Sequence, residues 1–405
     1  MHTSITSFLR ASLLLCSCLL LGACAVVLRN PVPADSYTQV SVLGRQDLRI
    51  WGDEQENPKS VLILPSDPDT LQREFSGIMH TEHSYLAISG GGADGAYGAG
   101  VLVGWSALGT RPEFTMVTGV STGALTAPFA FLGEAYDEQL KMLYTTLDSA
   151  SIFYLRGVFA ILRGDAVADN TPLMRMLEQY VTDEMIAEIA REHRRGRILT
   201  IGTTDLDAGR PVIWNIGRIA NSGHPDAPHL IRQVLLASAA IPGVFPPAYI
   251  QVQTPDGKTY DEMHVDGGTS TQMFLYPTRT DFVKLREMLD IRGTPRAYVI
   301  RNSRIHPDYE PIRAWLPDIA GRSVSSLIRT QGIGDAYRIA ATTQRDGVAL
   351  KMTWIPSDAP ADPGEALFDP NYMSALFKFG YQRVIDGDAW SSVKILKLRE
   401  QGAQD

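Results

Sequence analysis

The stretch MVTGVSTGALTA, Met116 to Ala127, sets one serine between glycines, as Gly119-Val120-Ser121-Thr122-Gly123. Apolar, β-favouring residues precede it, and a helix-compatible run follows. On paper this is a nucleophile elbow, a sharp strand-to-helix turn with the serine hydroxyl exposed at its tip. Such a turn belongs to parallel α/β architecture, so its reading decides the fold class. Alone, the stretch fits a Ser-His-Asp enzyme, a Ser-Asp enzyme or an inert Gly-rich turn.

The residues on either side extend the pattern. SYLAIS, Ser84 to Ser89, is an apolar strand bounded by glycines, and SGGGADGAYGAG follows it directly. A small-residue helix from about Gly95 to Leu108 and the strand EFTMVTGV then lead into the elbow. Strand, loop, helix, strand, elbow and helix in this order predict a parallel unit. Gly90, Gly91 and Gly92 let the backbone aim several N–H groups at one point, and a helix start favours an anion there. That anion is either a tetrahedral oxyanion or a phosphate. Gly90, Gly92 and Gly95 form a loose G-x-G-x-x-G, with no P-loop lysine and no acid clearly placed for a ribose. The segment alone leaves both open.

Far downstream, HVDGGTSTQ places Asp266-Gly267-Gly268 at a strand end. Asp before Gly usually makes only a turn. Here it matters as a third element, because serine needs an adjacent base to take its proton and a tuned carboxylate can do that work.

Other segments complete the outline. NTPLMRMLEQYV and TDEMIAEIAREH read as helices with caps or acids at their starts. RILTIGTTDL reads as a buried strand, with RPVIWNI beside it after a turn at Asp207-Ala208-Gly209. DLRIWGDE and SVLILPSD look like short strands before the main fold, and RAYVIRNS like one after it. Helix is expected from about Leu230 to Ala239, over most of Pro307 to Arg345, and in NYMSALFKFGYQRVIDG. REHRRGR, the densest basic cluster, reads as a solvated helix end.

From about Tyr85 to Gly268 the chain resembles the patatin-like phospholipase family. The resemblance rests on GGGADG, GVSTG, TTDLDAGRPVIWN, LLASAAIPGVFPPAYI and DGG, in the family's order. It implies a three-layer α/β fold with a mainly parallel central sheet flanked by helices. It also implies a lipid acyl hydrolase of phospholipase A or lysophospholipase type. Carried over by motif, Ser121 is the nucleophile, Asp266 the base, and Gly90, Gly91 and Gly92 the oxyanion hole. Gly95, Gly119, Gly123, Gly267 and Gly268 are motif glycines, and the mechanism calls for no metal or cofactor. One departure concerns the substrate. The family often carries Arg or Lys in the Gly-rich loop where this chain has Asp94, which weakens any charge-based attraction to a phosphate head group. An alcohol or lysolipid acceptor in place of water would make the same site an acyltransferase.

The N-terminus suggests location. An apolar run from Ala11 to Ala23 ends in Leu21-Gly22-Ala23-Cys24, too short for a confident membrane span. The segment resembles a bacterial lipoprotein signal, which implies cleavage before Cys24 and its acylation. Ala25 instead of Asp favours the outer membrane under the same sorting rules. All three cysteines, Cys16, Cys18 and Cys24, lie in this segment, so no pair remains for a disulfide in the mature chain. The 37 basic and 45 acidic residues give a net charge of −8, with little support for nucleic-acid binding. The expected organisation is a signal over 1–23, a tether with short strands over 24–80, a catalytic core over 81–280, and the remainder of that domain over 281–405.

Two rivals complete the reading. Ser121, Asp266 and His306 would satisfy the α/β-hydrolase chain order of a triad, but the glycine loop lies early for that layout. His264, two residues before Asp266, shares its strand face. His80, His83, His193, His224 and His229 show no metal-ligand spacing. The other rival is a non-catalytic anchored binding protein.

Overall fold

The computed structural model describes residues 29–54, 68–146, 148–155, 166–305, 309, 311–364 and 366–392. The expected lipoprotein signal with Cys24, the strand expected in SVLILPSD, and His306 lie outside these residues.

One ten-stranded sheet organises the chain. Its strands are β1 (Arg49–Trp51), β2 (Ser84–Ile88), β3 (Met116–Val120), β4 (Ile198–Asp205), β5 (Arg210–Asn215), β6 (Ala248–Gln253), β7 (Thr259–Asp266), β8 (Arg296–Arg304), β9 (Ala349–Ile355) and β10 (Ser391–Ser392). Every residue of β2, β3 and β4 is buried, as expected for strands covered on both faces. These three run parallel with β8 and β9, in the order β4-β3-β2-β8-β9. The antiparallel pair β5 and β1 extends one side, and β10 pairs antiparallel with β9 on the other.

Helices cover both faces. The main ones are α1 (Pro68–Phe75), α2 (Gly95–Ala107), α3 (Thr122–Leu132), α4 (Thr171–Tyr180), α5 (Asp183–Arg194), α6 (Ala227–Ser238), α7 (Leu316–Arg345) and α8 (Pro370–Ile385). One core packs α2, α3, α5, α6 and α8 against the sheet. A second packs α1 and the C-terminal half of α7 against the other face. This is the expected three-layer α/β arrangement with a mainly parallel centre. The small residues of α2 have a packing reason: a Cβ on Gly100 would lie 2.0 Å from the Phe377 carbonyl oxygen, so α8 approaches at backbone distance.

Two strands carry the site beyond the parallel core. β7 pairs antiparallel with the end of β4, setting Thr203 opposite Asp266 and Asp205 opposite His264. Because Val120 of β3 is in register with Gly202 of β4, Asp266 arrives beside the elbow.

The structure corrects one reading. REHRRGR is not wholly a solvated helix end, because Arg197 is buried. Its guanidinium donates to the carbonyls of Phe114 at 2.8 Å and Phe131 at 2.6 Å and pairs with Glu192 at 3.0 Å. It ties α3 and the approach to β3 to the start of β4.

Candidate active site

The elbow is strained and held. Ser121 has φ 55° and ψ −127°, a positive φ that non-glycine residues adopt at a cost of about 1–3 kcal/mol. Its N–H donates to Ser238 Oγ at 3.0 Å, and Ser238 Oγ donates to the Gly202 carbonyl at 2.6 Å. A helix residue thus ties the turn to β4. Close approach completes the restraint: a Cβ on Gly123 would lie 2.4 Å from the Ile88 carbonyl oxygen. Ser238→Ala leaves the Ser121 N–H and the Gly202 carbonyl short of a buried partner. It is expected to lower stability by about 1–3 kcal/mol, measured by urea unfolding, and no loss would show that the elbow is held by packing alone.

Asp266 ends β7 against this turn. Ser121 Oγ donates to its Oδ2 at 2.6 Å, and the Gly268 N–H donates to its Oδ1 at 2.7 Å. The Asp266 N–H is held by the Ala240 carbonyl at 2.9 Å. Both side chains are buried. Burial pushes the Asp266 carboxyl up to about 6, against the bonds from Ser121 and Gly268 that favour its charged form. The direct 2.6 Å contact leaves no space for an imidazole between serine and carboxylate. His264 is turned to other partners, with Nδ1 at 3.0 Å from Thr203 Oγ1 and Nε2 at 3.1 Å from Glu262 Oε2.

The glycine loop faces the same point. Asn302, at the end of β8, donates through its N–H to Ser89 Oγ at 2.9 Å and through Nδ2 to the Ser89 carbonyl at 3.0 Å. Gly90 lies against the serine, since a Cβ there would sit 3.0 Å from Ser121 Cβ. Its N–H, however, is already directed at the Gln272 carbonyl, at 3.3 Å. Gly92 borders the same cavity as Ser121. The other motif glycines sit where side chains do not fit. An added Cβ would come within 2.2 Å of Thr122 Oγ1 at Gly95, 2.4 Å of the Gly123 carbonyl at Gly119, 2.4 Å of the Gly202 carbonyl at Gly267, and 2.4 Å of Gln272 Nε2 at Gly268.

Asp94 points elsewhere. Tyr372 of α8 donates to its Oδ1 at 2.5 Å, and burial pushes its carboxyl up to about 6 despite that bond. It is thus engaged with α8.

The cavity at Ser121 is apolar. Leu125, Leu143, Ile152, Leu173, Met176 and Phe245 line it, with Ser121 and Thr122 at its polar end. Such a lining is chemically suited to an apolar ligand.

Elsewhere, Asp205, Glu262 and His264 bring their ligand atoms within 4.8 Å of one another in the interior. Glu262 is already paired with both guanidinium nitrogens of Arg49, at 2.7 Å for Nη2. Asp205 Oδ1 accepts the N–H groups of Asp207 at 2.9 Å and Ala208 at 3.2 Å. The neighbouring guanidinium already supplies the positive charge a cation would bring, so the cluster reads as a buried ion-pair network.

Residues 86–277 match the family model described as patatin-like phospholipase. Over those residues the chain is similar to patatin-like phospholipases. Similar proteins include a patatin-like phospholipase domain-containing protein of Aspergillus clavatus, 29% identical over 48% of this chain and 27% of that one. A patatin-like phospholipase domain-containing protein of Yarrowia lipolytica is 30% identical over 55% of this chain and 27% of that one. Patatin-17 of Solanum cardiophyllum is 28% identical over 25% of each. The match thus spans about a quarter of the length of these relatives. Among solved structures, VipD from Legionella pneumophila aligns with a TM-score of 0.35 and 12% identity, covering 77% of this chain and 68% of that one. Within residues 86–277, the glycine loop, the elbow and the Asp-Gly-Gly turn meet at one point. Ser238, within LLASAAIPGVFPPAYI, and Gln272, Asn302 and Tyr372 support them, and nothing in the sequence marks these four as supports.

Proposed function

We propose that the chain hydrolyses acyl esters of lipids with a Ser121–Asp266 dyad. The observation that carries this reading is the 2.6 Å hydrogen bond from Ser121 Oγ to Asp266 Oδ2 at a buried, strained elbow. Asp266 takes the hydroxyl proton as Ser121 Oγ attacks the ester carbonyl. The backbone N–H groups of Gly91 and Gly92 receive the oxyanion, where one such donor is worth about 3 kcal/mol. The carbon–oxygen ester bond breaks, and the leaving alcohol takes the proton from Asp266. Water then attacks the acyl-serine while Asp266 accepts its proton, and the fatty acid leaves as Ser121 regains a hydrogen. The apolar cavity holds the acyl chain. Acylation of Cys24 and attachment to the outer membrane, read from the sequence, belong to the same proposal, since several acyl chains give stable anchoring.

The test is product analysis with phosphatidylcholine, lysophosphatidylcholine and triacylglycerol. Free fatty acid is expected from the phospholipids, with the matching alcohol in equal amount; no fatty acid from any ester would contradict the proposal. The pH profile follows from Asp266. The base works only when ionised, and its carboxyl is held at about 6. The rate is therefore expected to level off above that pH and to fall about tenfold per unit below it.

A further inference from the structure

α7 is thirty residues long, or about 45 Å, whereas the nine residues of β8 beside it span about 30 Å. It runs opposite to the parallel strands, because its end at Arg345 leads into the start of β9. Its N-terminal half therefore overshoots the sheet at the C-terminal ends of the strands, where Ser121 follows β3. The crossing point is marked by Asp335, whose Oδ2 accepts the Gln272 N–H at 2.7 Å, next to the glycine loop. Residues 316–328, N-terminal to the Arg329 carbonyl that accepts from Arg301 Nη2 at 3.4 Å, span about 20 Å.

The amphipathicity of this projecting half is inverted. At 100° per residue, Leu316, Ile319, Val324, Leu327 and Ile328 fall on one arc of about 180°. All five are exposed, Leu316 at 77% and Leu327 at 70%, and Trp315 just before them is 57% exposed. Asp318, Arg322, Ser326 and Arg329 lie on the opposite side and are half-buried. That polar side continues the line of Ala336, Ile339 and Ala340, which are buried in the core. Apolar side chains thus point away from the protein while polar ones face it.

Charge indicates which surface. Residues 312–334 carry three arginines (Arg313, Arg322, Arg329) and Asp318 as the only acid before Asp335 is reached at the end, a net of +2 up to Gly334, in a chain of net −8. A basic apolar helix on an acidic protein is complementary to an anionic lipid surface. No helix among the described residues is long and apolar enough to cross a membrane, so this one would lie in the plane of the interface.

We propose that the projecting half of α7 docks on an anionic lipid surface, inserting Trp315, Leu316, Ile319, Val324 and Leu327 beside the catalytic edge. The delivery of substrate to Ser121 rests on the lipid hydrolase reading, whereas the docking itself does not. Arg313, 77% exposed and paired with Asp318 at 2.6 Å, lies over the Trp315 ring at 5.4 Å and puts a positive charge beside the inserted side chains.

The experiment uses the full chain with Ser121→Ala, which stops turnover, and vesicles of phosphatidylethanolamine and phosphatidylglycerol with brominated acyl chains. The Trp315 contribution is the difference from the same chain with Trp315→Phe. It is expected to be quenched by half or more, and L316S/I319S/L327S is expected to abolish that quenching. Vesicle-bound protein with unquenched Trp315 would overturn the proposal. So would sedimentation showing a dimer that the same triple variant dissociates, because a second copy would then cover the helix. With Ser121 restored, the triple variant should lose about tenfold or more on vesicular phospholipid and stay within twofold on a soluble short-chain ester. Failure of the unmodified chain to hydrolyse any ester would remove the catalytic reading, and the quenching would still decide the docking.

Discussion

Asp266→Asn is expected to lower kcat/KM for ester hydrolysis by about 10⁴-fold, the scale at which loss of a coupled base disables a serine nucleophile. The amide keeps an oxygen for the Gly268 N–H and can donate to Ser121 Oγ, so the geometry survives while the proton acceptor is lost. Stability should move the other way. The carboxyl is held at about 6 in the folded protein, above its ordinary 3.8, because burial disfavours the charge. A carboxyl raised in this way binds its proton more tightly when folded, so folding is favoured as pH falls from about 6 toward 4, and above 6 the buried charge costs stability. The shift of about two units corresponds to about 3 kcal/mol. Asp266→Asn should therefore unfold at a higher temperature than the unchanged chain at pH 8, with the difference shrinking toward pH 4. An active Asp266→Asn chain would contradict the dyad, and a folded but inactive His306→Ala chain would move the assignment to a triad.

Ser121→Ala is expected to remove at least about 10⁴ of the rate, since residual catalysis from an oxyanion hole and binding alone is small. The substitution deletes only Oγ, and the N–H held by Ser238 is untouched. The apolar cavity and glycine loop also remain. Lipid binding should thus persist when turnover stops, which equilibrium binding of a non-hydrolysable ether lipid measures. Loss of both would point to misfolding and would show in the unfolding curve. Unchanged hydrolysis would favour the non-catalytic reading of this elbow.

Legibility from sequence followed the range of the interactions. The elbow, the glycine loop and the Asp-Gly-Gly turn are short-range backbone requirements, so their letters were readable locally. Their convergence comes from β7 pairing with β4, a register no local pattern states, and only the family resemblance supplied it. Ser238 lies in LLASAAIPGVFPPAYI, but its role in holding the elbow shows only in its bonds to Ser121 and Gly202. Gln272 and Asn302 act through the carbonyls and N–H groups they meet across the sheet. Arg197 is not legible locally, because basic residues after a helix look alike whether they face water or the carbonyls of Phe114 and Phe131. β6 and β9 lie outside the sequence expectations, yet both alternate buried with more exposed positions, the mark of strands near the sheet's margins. Helix was expected across most of Pro307 to Arg345, but its outward apolar face emerges only once the sheet shows where the protein body lies.

The most direct measurement of the central claim is the rate and site of labelling by a fluorophosphonate, read by peptide mass spectrometry. The reagent phosphonylates a serine only when a base activates it. One adduct is expected, on the peptide containing Ser121, forming at a rate that falls as pH drops below about 6 and that Asp266→Asn slows by about 10³ or more. An adduct on another residue, or equal labelling of Ser121 with and without Asp266, would contradict the Ser121–Asp266 dyad.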